Sequence, residues 1–112
     1  MRTLIYHARA RDDIIELRRH LDRTSGEPRV SDAFLRKVRS RIGKLARSST
    51  VQGRLRPEFG PDFRSVPVDD YPLIVRYFPE YLLVLRFVHS ARRLDRMRFD
   101  EERQPYISEN AG

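Results

Sequence analysis

The chain is expected to fold as a single α+β domain, in the order β-α-α-β-β-β-β. Three observations predict it. Residues 62–68, 71–78 and 82–89 are three closely spaced apolar runs rich in β-favouring residues, broken only by Asp69-Asp70 and Pro79-Glu80. Ahead of them stand two stretches of helical periodicity separated by Thr24-Ser25-Gly26-Glu27-Pro28. A length of 112 residues with 39% hydrophobic content supports one small core, a twisted and mostly antiparallel sheet with a helical hairpin packed on one face. Residues 1–103 are taken as the domain and 104–112 as a flexible C-terminal tail, because the last stretch has no periodic pattern.

The elements follow in order. Thr3 to Tyr6 is a short β-favouring run and His7 stands where a helix N-cap is expected. Ala10, Ile14, Leu17 and Leu21 then fall on one helical face, with Asp12, Asp13 and Glu16 early and Arg18, Arg19 and Arg23 late, as the helix dipole favours. A second helix, capped by Ser31 or Asp32, runs to about Arg47. Its buried stripe is Phe34 or Leu35, then Val38, Ile42 and Leu45, and its outside carries Arg36, Lys37, Arg39, Arg41 and Lys44. Val51 to Arg56 is a candidate edge strand and Pro57 to Pro61 a turn. After the three strands, Asp95 to Arg103 is polar, with room for a short helix. The sheet face away from the helices is expected to be partly open.

Charge narrows the function classes. There are 23 basic and 16 acidic residues, and every basic residue except Lys37 and Lys44 is arginine. With a pI near 10.5, the excess points to an anionic partner, either nucleic acid or an acidic protein. Each strand carries an arginine (Arg64, Arg76, Arg86), and the last run ends in His89, Arg92 and Arg93. Such residues either line an electropositive surface or pair with Asp62, Asp69, Asp70 or Asp95. The absence of cysteine offers no disulfide or thiolate metal site, and His7, His20 and His89 have no paired-ligand spacing. Phosphate-cradling glycine motifs are absent too, so neither a metal nor a cofactor is expected. No apolar run approaches the roughly 20 residues that span a bilayer, and the N-terminus lacks signal-peptide character, which points to the cytoplasm.

Several stretches carry a resemblance. Ala10 with Asp13-Ile14, Leu45 with the later Gly53-Arg54, Phe63-Arg64-Ser65 with Val68, Tyr71 to Arg76, and Val88-His89-Ser90-Ala91-Arg92 together resemble the ParE/RelE superfamily of type II toxin–antitoxin toxins over about residues 3 to 98. Arg93 replaces the aspartate usual after the arginine, and Ser90 replaces glycine. The ParE-like branch looks the nearer, and it implies a plasmid-stabilisation toxin that inhibits DNA gyrase and is neutralised by an acidic, ParD-like antitoxin. On that reading Arg64, Arg76, Arg86 and Arg92 are the candidate target- and antitoxin-binding residues, and the chain acts by binding rather than catalysis. The RelE-like alternative implies a metal-independent endonuclease cutting mRNA on the ribosome. His89 would then be acid or base, with Arg64 and Arg86 as phosphate clamps and Tyr77 or Tyr106 assisting. A third reading is a non-toxic, basic nucleic-acid-binding homologue. For His89 the structural alternative is a strand-end histidine bonded to backbone. For Tyr71, Tyr77 and Tyr81 it is packing on the sheet.

Overall fold

The structure, a computed structural model, describes residues 1–88 and strand 106–108. Its elements are β1 (Thr3–His7), α1 (Ala8–Ser25), α2 (Pro28–Arg47), β2 (Arg54–Leu55), β3 (Phe63–Val68), β4 (Tyr71–Tyr77), β5 (Tyr81–Phe87) and β6 (Tyr106–Ser108). The strands form one sheet in the order β2-β3-β4-β5-β1-β6. Only β1 and β5 run parallel; the other neighbours are antiparallel. The predicted α+β order therefore holds. The short helix expected within 95–103 lies outside the described residues.

Local chemistry sets the hairpin. His7 is the N-cap of α1, its Nδ1 accepting the backbone N–H of Arg9 at 3.1 Å. Gly26 ends the helix in the left-handed region (φ 70°), where its N–H donates to the Asp22 carbonyl at 3.0 Å. Here the sequence reading needs correction, because α2 starts at Pro28 and not after Ser31 or Asp32. Proline lacks the N–H that a first helical residue leaves unused and has a helical φ already, so it opens α2 two residues after α1 closes. Ser31 is instead buried inside the hairpin, its hydroxyl within bonding distance of the Asp22 carboxylate.

The helices cover one sheet face. Ala10, Leu17, Val38, Ile42 and Leu45 pack there on Leu4 and Tyr6 of β1, Val66 and Val68 of β3, Leu73, Val75 and Tyr77 of β4, and Leu82, Val84 and Phe87 of β5. Each strand steps by two except β5, which steps by three from Val84 to Phe87. A register shift beside Ile74 and Val75 is the cause, giving β5 one residue more than β4 at that point.

The opposite face is not open, as the sequence reading expected. Phe63, Ile74, Leu83, Leu85 and Val88 form a second buried apolar cluster on it, with Ile5, Phe59, Phe78 and Tyr81 alongside. The reason is legible afterwards: Leu82 to Leu85 is an unbroken apolar run, the signature of a strand buried on both faces rather than one. Residues 104–112 include β6, which pairs antiparallel with the outer edge of β1 through Ser108, Ile107 and Tyr106. Two β-favouring residues, Tyr106 and Ile107, can join an existing edge without periodicity of their own.

Candidate functional site

The three strand arginines sit in three different surroundings. Arg86, near the end of β5, turns to α1: its Nε donates to Asp13 Oδ2 at 2.7 Å and its Nη2 to Asp13 Oδ1 at 3.0 Å. The backbone N–H of Phe87 donates to the same Oδ2 at 2.9 Å. Both side chains are largely buried, at 18% exposure for Arg86 and 15% for Asp13. A bidentate guanidinium–carboxylate fork with a third donor on the carboxylate is a strong, directional joint. It fixes the second turn of α1 to the bulged end of β5. Its partner is none of the aspartates considered from sequence. A signal was present, because Asp13 lies three residues after Ala10 and four before Leu17, within the apolar stripe, where an acid is expected to have a buried partner.

Arg64 lies on β3 in the same alternation as Val66 and Val68, towards the helix side of the sheet. Its Nη1 donates to the carbonyl of Gly53 at 2.8 Å, tying the loop before β2 to the sheet edge. Gly53 has φ 102°, and a Cβ there would sit 2.8 Å from a Val66 methyl, so glycine is required for this approach. Arg76 lies on β4 in the alternation of Ile74 and Phe78, on the other face. Its guanidinium stands 4.8 Å from the ring centre of Phe78 and 5.3 Å from that of Phe63. The sheet thus divides these cations between its two faces and does not gather them. His89, Arg92 and Arg93 lie outside the described residues.

The tyrosines pack. Tyr71 meets Phe34 edge-on at 5.2 Å, and Tyr81 stacks on Phe78 at 4.3 Å. The Tyr77 hydroxyl accepts the Gln52 N–H at 3.3 Å, and its ring lies beneath Arg2 at 4.8 Å. Arg2 also reaches the Phe78 carbonyl at 2.8 Å, pinning the start of β1 to the β4–β5 turn. Among the described residues, no group of three or more His, Asp or Glu side chains is arranged to hold a metal, and no helix is long and apolar enough to cross a membrane.

One concave surface lies beside the helical hairpin. A cavity of about 150 Å³ opens between α1 and α2, lined by Tyr6, Arg11, Ile14, Ile15, Leu35, Val38 and Arg39. Ile15 is 49% exposed at its rim, an apolar residue outside the predicted stripe. Apolar floor and cationic margins suit recognition of an amphipathic, acidic segment.

Comparison with known proteins agrees with this architecture. No curated protein matches the chain. A solved structure described as the chromosomal ParDE TA system from P. aeruginosa is similar in fold, with a TM-score of 0.65 at 19% identity, covering 79% of this chain and 95% of that one. The family described as "ParE toxin of type II toxin-antitoxin system, parDE" matches residues 4–94, from β1 through the end of β5 and beyond. The chain belongs to the ParE toxin family of type II toxin–antitoxin systems.

Proposed function

We propose that this chain is a toxin that inhibits DNA gyrase by binding it, and that an acidic, ParD-like antitoxin neutralises it. The observation that carries the reading is the family match across residues 4–94, which takes in both helices and β1 to β5. The chain's basic balance supports an acidic partner. The hairpin groove is the favoured antitoxin seat, with apolar side chains of an amphipathic helix on Ile14 and Ile15 and acids towards Arg11 and Arg39. Arg64, Arg76 and Arg92 are proposed to extend recognition of antitoxin or target. Arg86 contributes chiefly by holding α1 against β5.

Induction of the chain in cells is expected to produce gyrase-dependent DNA breaks, with transcripts left intact. Ribosome-dependent mRNA cleavage on induction, lost in His89→Ala, would assign the chain to the nuclease alternative. For the antitoxin seat, Ile15→Asp with Arg39→Glu is expected to slow association with the cognate antitoxin at least tenfold and flatten its salt dependence, since rim charges act mainly on the on-rate. Unchanged kinetics would place the antitoxin elsewhere.

A further inference from the structure

Charge is distributed unequally between the two helices. α1 carries five basic and four acidic residues, whereas α2 carries seven basic residues and one acid, Asp32, in its first turns. At 100° per residue, Arg36, Lys37, Ser40, Arg41, Lys44 and Arg47 share one arc of α2, opposite Leu35, Val38, Ile42 and Ala46 in the core. Arg39 falls outside the arc, in the groove beside α1. Among the described residues, Lys37 alone of these cations makes an ion pair, with Asp69 at 2.5 Å. Between α2 and the β3–β4 turn lies a cleft of about 290 Å³, lined by Lys37, Ser40, Arg41, Lys44, Pro67, Val68 and Asp69. Arg47 folds back over the bare Cα of Gly43, its Nη1 3.0 Å from where a Cβ would stand. Glycine in mid-helix costs about 1 kcal/mol against alanine, so room for this guanidinium is kept at some expense.

We propose that this arc of α2 binds the sugar–phosphate backbone of duplex DNA, with one phosphate seated among Lys37, Ser40, Arg41 and Lys44. The chemistry selects the ligand class. A protein interface is built around a central apolar or aromatic anchor, and the arc has none: its side chains are five cations and a serine. Single-stranded nucleic acid is held by aromatic platforms, and the one ring of α2, Phe34, is engaged with Tyr71 and Phe87. What remains is a row of charges from Arg36 to Arg47, about 16 Å long at 1.5 Å per residue. A DNA strand presents a phosphate about every 3.4 Å of axis, so the row passes several of them. Among the described residues, Asp69 is the one anion lining the cleft, and it masks Lys37. The arc and the α1–α2 groove face different ways, so an antitoxin in the groove leaves the arc available.

The test is fluorescence anisotropy of the full-length chain with a labelled, mixed-sequence DNA duplex of about two helical turns, across a salt series. Four unmasked cations predict a slope of log K against log salt of about −3 to −4. Arg36→Ala and Lys44→Ala are each expected to weaken binding roughly five- to tenfold at about 0.1 M salt and to reduce the slope by about one. Asp69→Asn, which frees Lys37 and keeps a residue tolerant of φ 53°, is expected to strengthen binding by a similar factor. Arg19→Ala and Arg23→Ala on α1 remove equal charge and should leave the slope unchanged. Equal losses from α1 and α2 variants would overturn the proposal in favour of bulk charge. Tighter binding to single-stranded DNA, or to poly-glutamate, would overturn it in favour of another ligand.

Discussion

Val84→Asp and Leu85→Asp are both expected to abolish the cooperative thermal transition. The two residues are adjacent on β5 and their side chains enter different clusters, Val84 the one beneath the helices and Leu85 the one on the opposite face. In a strand buried on one side only, one of the two changes would be tolerated, because adjacent side chains point opposite ways. Here both are buried, at 0% and 2% exposure. An unpaired carboxylate at either position costs several kcal/mol, against a total stability of about 5–15 kcal/mol for a domain of this kind. Circular dichroism melting of the two variants checks this. A parent-like melt for Leu85→Asp alone would mean that the second face is not buried in solution.

The second large effect is at the joint between α1 and β5. Arg86→Leu is expected to destabilise the fold by about 3–5 kcal/mol, because it leaves the Asp13 carboxylate buried without its counter-charge. Asp13→Leu strands the guanidinium and also removes the acceptor for the Phe87 N–H, so it should cost at least as much. The double variant Asp13→Leu/Arg86→Leu is expected to recover most of the loss, since a well-packed apolar pair often equals a buried ion pair. Denaturant unfolding of the four proteins completes the cycle. Additive losses in the double variant would show that the two side chains are not coupled. The exposed pair Arg18–Asp32, each side chain 45% exposed, is worth at most about 1 kcal/mol and serves as the contrast.

The legible and illegible parts of the fold separate on physical grounds. Helix existence, the hairpin and the three long strands were readable because periodicity is local: Ala10, Leu17, Val38, Ile42 and Leu45 are all buried where a helical stripe puts them. The start of α2 was misplaced because Pro28 carries two meanings, closing one helix and opening the next, and two residues separate those events. The grouping of Arg64, Arg76 and Arg86 was unreadable in principle. Alternation gives the face of each side chain within its own strand, but relative phase needs the register, which is non-local. Pairing of Arg64 with Val75 and of Phe63 with Arg76 sends the first two arginines to opposite faces, and Arg86, two residues beyond Val84, reaches Asp13 on α1. In the sequence Asp13 reads as an early helical acid and as part of a family pattern. Its partner is 73 residues away, beyond the reach of any local rule.

The most direct measurement adds the purified chain to a DNA gyrase supercoiling reaction with relaxed circular plasmid. Loss of supercoiling and accumulation of linear, gyrase-bound DNA are expected, both reversed by prior mixing with the cognate antitoxin. Supercoiling that proceeds unaffected at saturating toxin, while the same preparation cuts mRNA on ribosomes, would contradict a gyrase-directed toxin.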